Sequence, residues 1–107
     1  MMKIKIEDAL RTYMMETGKK EIVLYVKAGS GYGKMSFLSA KARFPKKNET
    51  VSEEQGYAFA ECEGIKVYYQ PGELIFEENA QILINRFLGA VMLQTMGISV
   101  NQQAFAL

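Results

Sequence analysis

The segment EIVLYVK, residues 21–27, constrains the fold more than any other part of the chain. It is rich in β-branched and aromatic residues, which is typical of a β-strand. In a strand, Ile22 and Leu24 lie on one face, and Val23 and Tyr25 lie on the other. Because both faces are mostly apolar, we predict that this strand is central in its sheet.

The remaining patterns predict one helix and further short strands. Leu10, Tyr13, Met14 and Thr17 have the i, i+3, i+4, i+7 spacing of one helix face, and they predict a helix over residues 7–17. Strand patterns cover residues 3–6, 35–44, 57–63, 65–70 and 91–96, and Gly97 is expected to end the last of these strands. Residues 73–88 fit either helix or strand, and residues 99–107 are expected to fray. The sum is an N-terminal helix with six or seven short strands, an α+β, mainly β fold without regular βαβ alternation.

Length and charge indicate one ordinary domain, residues 1–107. A formal net charge of +1 argues against binding nucleic acid or membranes by bulk charge. The first ten residues carry interspersed charges and do not predict a signal peptide, and no apolar run approaches the ~18 residues of a membrane helix. Cys62 is the single cysteine, so no internal disulfide is possible. We therefore expect the protein to reside in the reducing cytoplasm.

The missing residue types exclude several chemistries. The chain has no histidine, so the usual general base and zinc ligand are absent. One cysteine cannot hold a four-cysteine zinc site or an iron–sulfur cluster within one chain. A metal site would need carboxylates, or Cys62 from several subunits.

The stretch KAGSGYGKMS, residues 27–36, contains three glycines followed by a lysine, so we compare it with phosphate-binding loops. The Walker pattern requires glycine, four residues, then Gly-Lys-Ser/Thr. Gly33 and Lys34 match its middle, but Ala28 replaces the first glycine and Met35 the hydroxyl residue. A strand is predicted next, so no helix N-terminus would hold phosphate. We expect a flexible strand connection with weak attraction for anions; this candidate ligand loop comprises Gly29, Ser30, Gly31, Tyr32, Gly33 and Lys34.

The other candidate side chains predict packing or solvent exposure. Cys62 shares a strand face with Ala58 and Ala60, so it is expected to be a small buried residue, and its glutamate neighbours would raise its thiol pKa. Three carboxylate pairs give no reason to choose an active site: Glu53 with Glu54, Glu61 with Glu63, and Glu77 with Glu78. Aromatic residues on strands with lysines nearby can stack on the bases of single-stranded nucleic acid, but we expect them to pack in the core. These residues are Tyr25, Phe37, Tyr57, Phe59, Tyr68 and Tyr69. Met14, Met92 and Met96 lie in apolar patterns and are interpreted as gap-fillers rather than ligands.

The order of these elements resembles the HesB-like, or A-type iron–sulfur carrier, domain. The resemblance rests on EIVLYVK, the glycine loop, EGIKVYY and FLGAVMLQTMGISV, and covers about residues 3–98. It is greatest to short HesB-like proteins with a similar fLG…L…GI ending. It implies small packed mixed sheets with a helix, often in dimers or higher oligomers. Such carriers hold iron or a cluster with one cysteine in the loop after the early strand and two near the C-terminus.

This chain departs from that pattern at each ligand position. Tyr32 falls near the place of the loop cysteine, NQQAFAL contains no cysteine, and Cys62 lies away from both. We therefore expect a non-catalytic HesB-like binding or assembly protein without cofactor or metal, forming a homo-oligomer and binding an unknown protein partner but no nucleic acid or membrane. One alternative is an iron or iron–sulfur carrier that uses Cys62 across an oligomer interface. Another is an enzyme for a small anionic ligand held by the glycine loop and Lys34.

Overall fold

The computed structural model describes residues 3–30 and 36–105. These residues form one helix and seven strands in two small mixed sheets, which confirms the predicted α+β, mainly β class. In chain order the elements are β1 (Lys5–Ile6), α1 (Asp8–Thr17), β2 (Glu21–Ser30), β3 (Ser36–Arg43), β4 (Ala58–Cys62), β5 (Ile65–Tyr69), β6 (Leu74–Phe87) and β7 (Ala90–Val100). Two short 3-10 turns, Glu53–Gln55 and Gln102–Phe105, complete the described structure. Among these residues, no helix combines the length and apolar character needed to cross a membrane.

The four-stranded sheet has the order β3-β2-β5-β4. β2 pairs antiparallel with β3 and parallel with β5, which confirms the prediction of a central strand. Ile22, Val23 and Leu24 are all fully buried, so both faces of β2 are covered. The β4–β5 connection is a tight hairpin: Glu63 and Gly64, at φ 54° and 85°, form its turn.

Helix α1 ends as its sequence predicts. Gly18 follows it at φ 71°, and the Lys19 N–H donates to the Met14 carbonyl at 2.9 Å. Leu10 and Met14 are buried, and the helix packs against β6. One core forms where α1 meets the inner faces of both sheets, and its buried members are Ile4, Ile6, Leu10, Met14, Ile22, Leu24, Ala42, Ile65, Val67 and Ile82.

The three-stranded sheet has the order β1-β6-β7. It contains most of segment 73–88, whose pattern fitted either a helix or a strand. β6 is one strand of 14 residues that pairs antiparallel with β7 and parallel with β1. The prediction that Gly97 ends the last strand is wrong, because β7 continues through it to Val100. The register shifts between Phe76 and Gln81, opposite Gly97, which has φ 71°. A bulge at this position lets the strand continue while the backbone bends.

The C-terminal segment also differs from the expected frayed tail. Ser99 and Val100 belong to β7, and Val100 is buried. The Asn101 N–H donates to the Glu73 carbonyl at 2.8 Å, and its side-chain amide donates to the Gly72 carbonyl at 3.0 Å. These bonds attach the segment to the start of β6, while residues 106 and 107 lie outside the described range.

Candidate functional site

The candidate ligand loop lies on the β2–β3 hairpin. Gly29 and Ser30 belong to β2, with Gly29 opposite Phe37 and Ser30 opposite Ser36. The stretch therefore connects two strands, as predicted, and the described residues that follow it, from Ser36 on, form a strand rather than the helix that follows a phosphate loop. Gly31, Tyr32, Gly33 and Lys34 lie outside the described residues, so the hypothesis that Tyr32 replaces a cysteine stays a prediction.

Cys62 is half-buried rather than fully buried. Its side chain packs against the core, as its strand face predicts. Burial raises the pKa of the thiol, Glu63 and Glu61 add to the rise, and a hydrogen bond with the Ile4 backbone opposes it. The thiol also borders a groove of about 640 Å³ that Lys3, Lys5 and Glu78 help to line. A raised pKa leaves little thiolate at neutral pH, which lowers the reactivity of Cys62 as a nucleophile.

The donor set does not fit an iron–sulfur cluster held by one chain. Such clusters need several thiolates, commonly four, and the sequence supplies one. The carboxylates do not compensate: in residues 3–30 and 36–105, no group of three or more Cys, Asp or Glu side chains is arranged to hold a metal ion. Glu63 is instead ion-paired with Arg11 at 2.8 Å.

The aromatic residues divide between the two faces of the four-stranded sheet. Tyr57 and Phe59 both contact Tyr68 on the outer face, whereas Tyr69 packs on the core side against Phe76. The Tyr68 hydroxyl donates to Glu21 at 3.1 Å, and burial with this bond raises the tyrosine pKa. Lys66 lies over the Phe59 ring at 4.9 Å.

Loop 44–57 is fastened to the sheet by an ion pair that sequence reasoning missed. Arg43 donates two hydrogen bonds to the Glu49 carboxylate, at 2.6 and 2.8 Å, and Glu49 also accepts the Lys46 N–H at 3.0 Å. These bonds lower the pKa of Glu49 to about 2. The sequence alone does not reveal this pairing, since it depends on how the loop folds back.

The β6–β7 hairpin has one apolar face with no element of the described chain packed on it. Residues directly opposite in a sheet point to the same side. The pairs Ile82–Thr95 and Ile84–Leu93 point inward, so the alternate pairs point outward. We call this set the outer hairpin face: Gln81, Leu83, Asn85, Phe87, Ala90, Met92, Gln94 and Met96.

The outer hairpin face contains no charged residue among its eight members. Phe87 is 68% exposed, Met92 57% and Met96 47%, and Leu88 at the hairpin tip is 91% exposed. The sequence alone does not separate the buried face of residues 87–100 from the exposed one, because the register of β6 and β7 is set by the tertiary structure.

Comparison with known proteins gives a family and no individual relative. No curated protein and no solved structure matches the chain significantly. The family model described as "CC/Se motif containing family" matches residues 2–98, most of the chain. With only one cysteine, the sequence has no pair of neighbouring cysteines. The chain belongs to the CC/Se motif containing family.

Proposed function

We propose that this protein is a non-catalytic, HesB-like binding or assembly protein of the cytoplasm that works as a homo-oligomer and has lost iron–sulfur cluster binding. The observation that carries the proposal is the outer hairpin face. A long, uncharged, apolar sheet face is unusual on a monomer and typical of the centre of a protein interface, where charged residues are depleted and Phe and Met are enriched.

A second copy of the chain is the occupant that fits this face. In a two-fold dimer, each residue meets the same surface on its partner, so a charged face would bring like charges together. The outer hairpin face avoids this repulsion because its polar members, Gln81, Asn85 and Gln94, are neutral amides. Amides both donate and accept hydrogen bonds and can pair with their own kind.

The exposed area is sufficient for a weak dimer. Taking about 180 Å² for a large apolar side chain, Phe87, Met92 and Met96 expose on the order of 300 Å² on one protomer, and Leu88 at the hairpin tip adds roughly 160 Å². Two such surfaces, tips included, bury roughly 900 Å², which is near the lower limit for a specific interface. We therefore expect a weak dimer whose fraction rises with protein concentration.

Loss of cluster binding is supported by the chemistry of the single thiol. Cys62 is half-buried, its pKa is raised, and the loop and C-terminal positions that carry cysteines in HesB-like carriers have none in this sequence. A protonated thiol, a glycine or a tyrosine does not replace a thiolate toward a soft metal.

Sedimentation velocity from micromolar to several hundred micromolar protein tests the proposal. The wild-type protein should shift from monomer to dimer, and Met96→Lys or Phe87→Lys should hold it as a monomer, because each would bury an ammonium in the interface. Met15→Lys is the matched control, since Met15 is 79% exposed on helix α1 and lies outside the face. A wild-type monomer at all concentrations, or equal loss of the dimer in the control, would refute self-association through this face.

A second candidate is an iron or iron–sulfur carrier that uses Cys62 across an oligomer interface. One observation favours it: the thiol borders a groove that Glu61, Glu63 and Glu78 also line. Anaerobic incubation with Fe²⁺ and sulfide, followed by desalting and iron analysis, separates the two proposals. Iron in a fixed ratio to protein that disappears in Cys62→Ala supports the carrier. Wild-type protein without retained iron supports the loss of cluster binding.

A further inference from the structure

The edges of the two sheets meet at a cavity. β3 is an edge strand of the four-stranded sheet and β7 an edge strand of the three-stranded sheet, and the two pack side by side. The Thr95 hydroxyl donates to the Ala40 carbonyl at 3.1 Å, which joins them at one point. A cavity of about 360 Å³ lies between Ala42–Phe44 and Val91–Leu93. This volume is at the small end of the range for ligand sites.

One side of the cavity is apolar and the other is cationic. Val91, Met92 and Leu93 supply the apolar side, together with Ala42 and Phe44. The cationic side lies on the outer face of the four-stranded sheet and consists of Tyr25, Lys27, Lys41 and Arg43. The described residues that line the cavity include no carboxylate.

The two lysines can reach the same point. Lys41 is directly opposite Tyr25, and Lys27 lies two residues further along β2 on the same face. Diagonal neighbours of this kind have Cβ atoms less than about 8 Å apart, within reach of long side chains. Both are exposed, and neither forms an ion pair with another described residue.

Arg43 differs from the two lysines because its guanidinium group already has partners within the protein. It is bonded through both terminal nitrogens to Glu49 and lies over the Tyr25 ring at 5.7 Å. Glu49 is therefore paired with Arg43 and does not neutralise either lysine. The ammonium groups of Lys27 and Lys41 are neighbours and repel each other. A bound anion would relieve this repulsion.

We infer that this cavity binds a small amphipathic carboxylate, with the carboxylate between Lys27 and Lys41 and the hydrocarbon body against Val91, Met92 and Leu93. The cavity volume suits an acid of roughly six to ten carbons. Tyr25 also lines the cavity, and a tyrosine hydroxyl is able to donate a hydrogen bond to a carboxylate. The cavity shares Met92 with the outer hairpin face, so binding is measured at protein concentrations at which the chain is monomeric.

Isothermal titration calorimetry of the whole protein with sodium octanoate tests the inference. Saturable one-to-one binding is expected for octanoate. Acetate, which lacks the hydrocarbon body, and octanol, which lacks the charge, should each bind at least tenfold more weakly. Octanol binding equal to octanoate would overturn the inference, because the cations would then contribute nothing.

Three charge-neutralising variants locate the site. Lys27→Gln and Lys41→Gln should each weaken octanoate binding about tenfold, the usual loss for one charge-assisted hydrogen bond. Lys47→Gln, in the exposed loop 44–57, is the matched control and should bind as the wild type does. Both target lysines are exposed, so folding should be retained, as thermal melts of the variants can check. No octanoate binding by the wild type, or equal binding by all three variants, would refute the site.

Discussion

The bulge at Gly97 gives the sharpest test of the fold. Gly97 has φ 71°, and a Cβ built on it would lie 2.7 Å from Asn79 Oδ1 and 3.0 Å from the backbone N and Cα of Ala80. We predict that Gly97→Ala destabilises the protein because it adds steric conflict to the strain of a left-handed conformation. The side-chain oxygen can move, but the Ala80 backbone is held within β6.

The magnitude follows from separating these two effects. A left-handed conformation costs an L-residue ~1–2 kcal/mol. Overpacking against fixed atoms costs typically ~1–3 kcal/mol more. Gly18 has the same φ of 71°, but a Cβ there would meet nothing within 4 Å, so Gly18→Ala carries only the first cost. We expect losses of about 1 kcal/mol for Gly18→Ala and about 3 kcal/mol for Gly97→Ala.

Urea unfolding followed by circular dichroism measures both losses on the same scale. The double variant Asn79→Ala/Gly97→Ala should recover only part of the loss, because the contact with the Ala80 backbone remains. If Gly97→Ala costs no more than Gly18→Ala, the close packing of β7 against the bulge is wrong.

Three further predictions concern an ion pair, the thiol and the core. Glu49 has a pKa of about 2, below the ordinary 4.5, so its contribution to stability is present above pH 4.5 and is lost as the pH falls toward 2. Glu49→Gln should flatten this part of a plot of Tm against pH; an unchanged slope would contradict the Arg43 pairing. Cys62 should react with iodoacetamide more slowly than glutathione at pH 7, and unfolding in urea should abolish the difference, because burial raises its pKa. Ile82→Ala should lower the free energy of unfolding in urea by about 2–5 kcal/mol, since the Ile82 side chain is fully buried in the core between the sheets. Ile75→Ala, at a half-exposed position, should lower it by about 1 kcal/mol or less.

Local patterns predicted those elements whose stabilising contacts are close in sequence. The helix was predicted because Leu10 and Met14 lie one turn apart and Gly18 supplies its stop. β2 was predicted as central because both of its faces are apolar. The alternation of Ala60 and Cys62 with Phe59 and Glu61 predicted which of them face the core in β4.

Patterns failed where a distant segment decides the conformation. Gly97 looked like a strand end, since nothing in its neighbourhood reveals that Ala80 and Asn79 of β6 lie against it. Residues 73–88 fitted both periods until pairing with β7 and β1 selected one strand. The pairing of Glu49 with Arg43 could not be predicted, because only the path of loop 44–57 brings the two side chains together.

The sequence by itself determined the composition of the interior, the turn positions and the limits on chemistry. Without histidine and with one thiol, no arrangement of the chain supplies several thiolates, because ligand atoms are a property of composition. Only the tertiary structure decided which apolar residues remain outside. Met92, Met96 and Phe87 are exposed, whereas Leu93 is not. Successive side chains of a strand point to opposite faces, and the register of β7 with β6 determines which of these faces packs against the core. The same packing of β3 beside β7 brought Lys27 and Lys41 to one cavity with Val91–Leu93, residues that lie fifty or more positions away in the sequence.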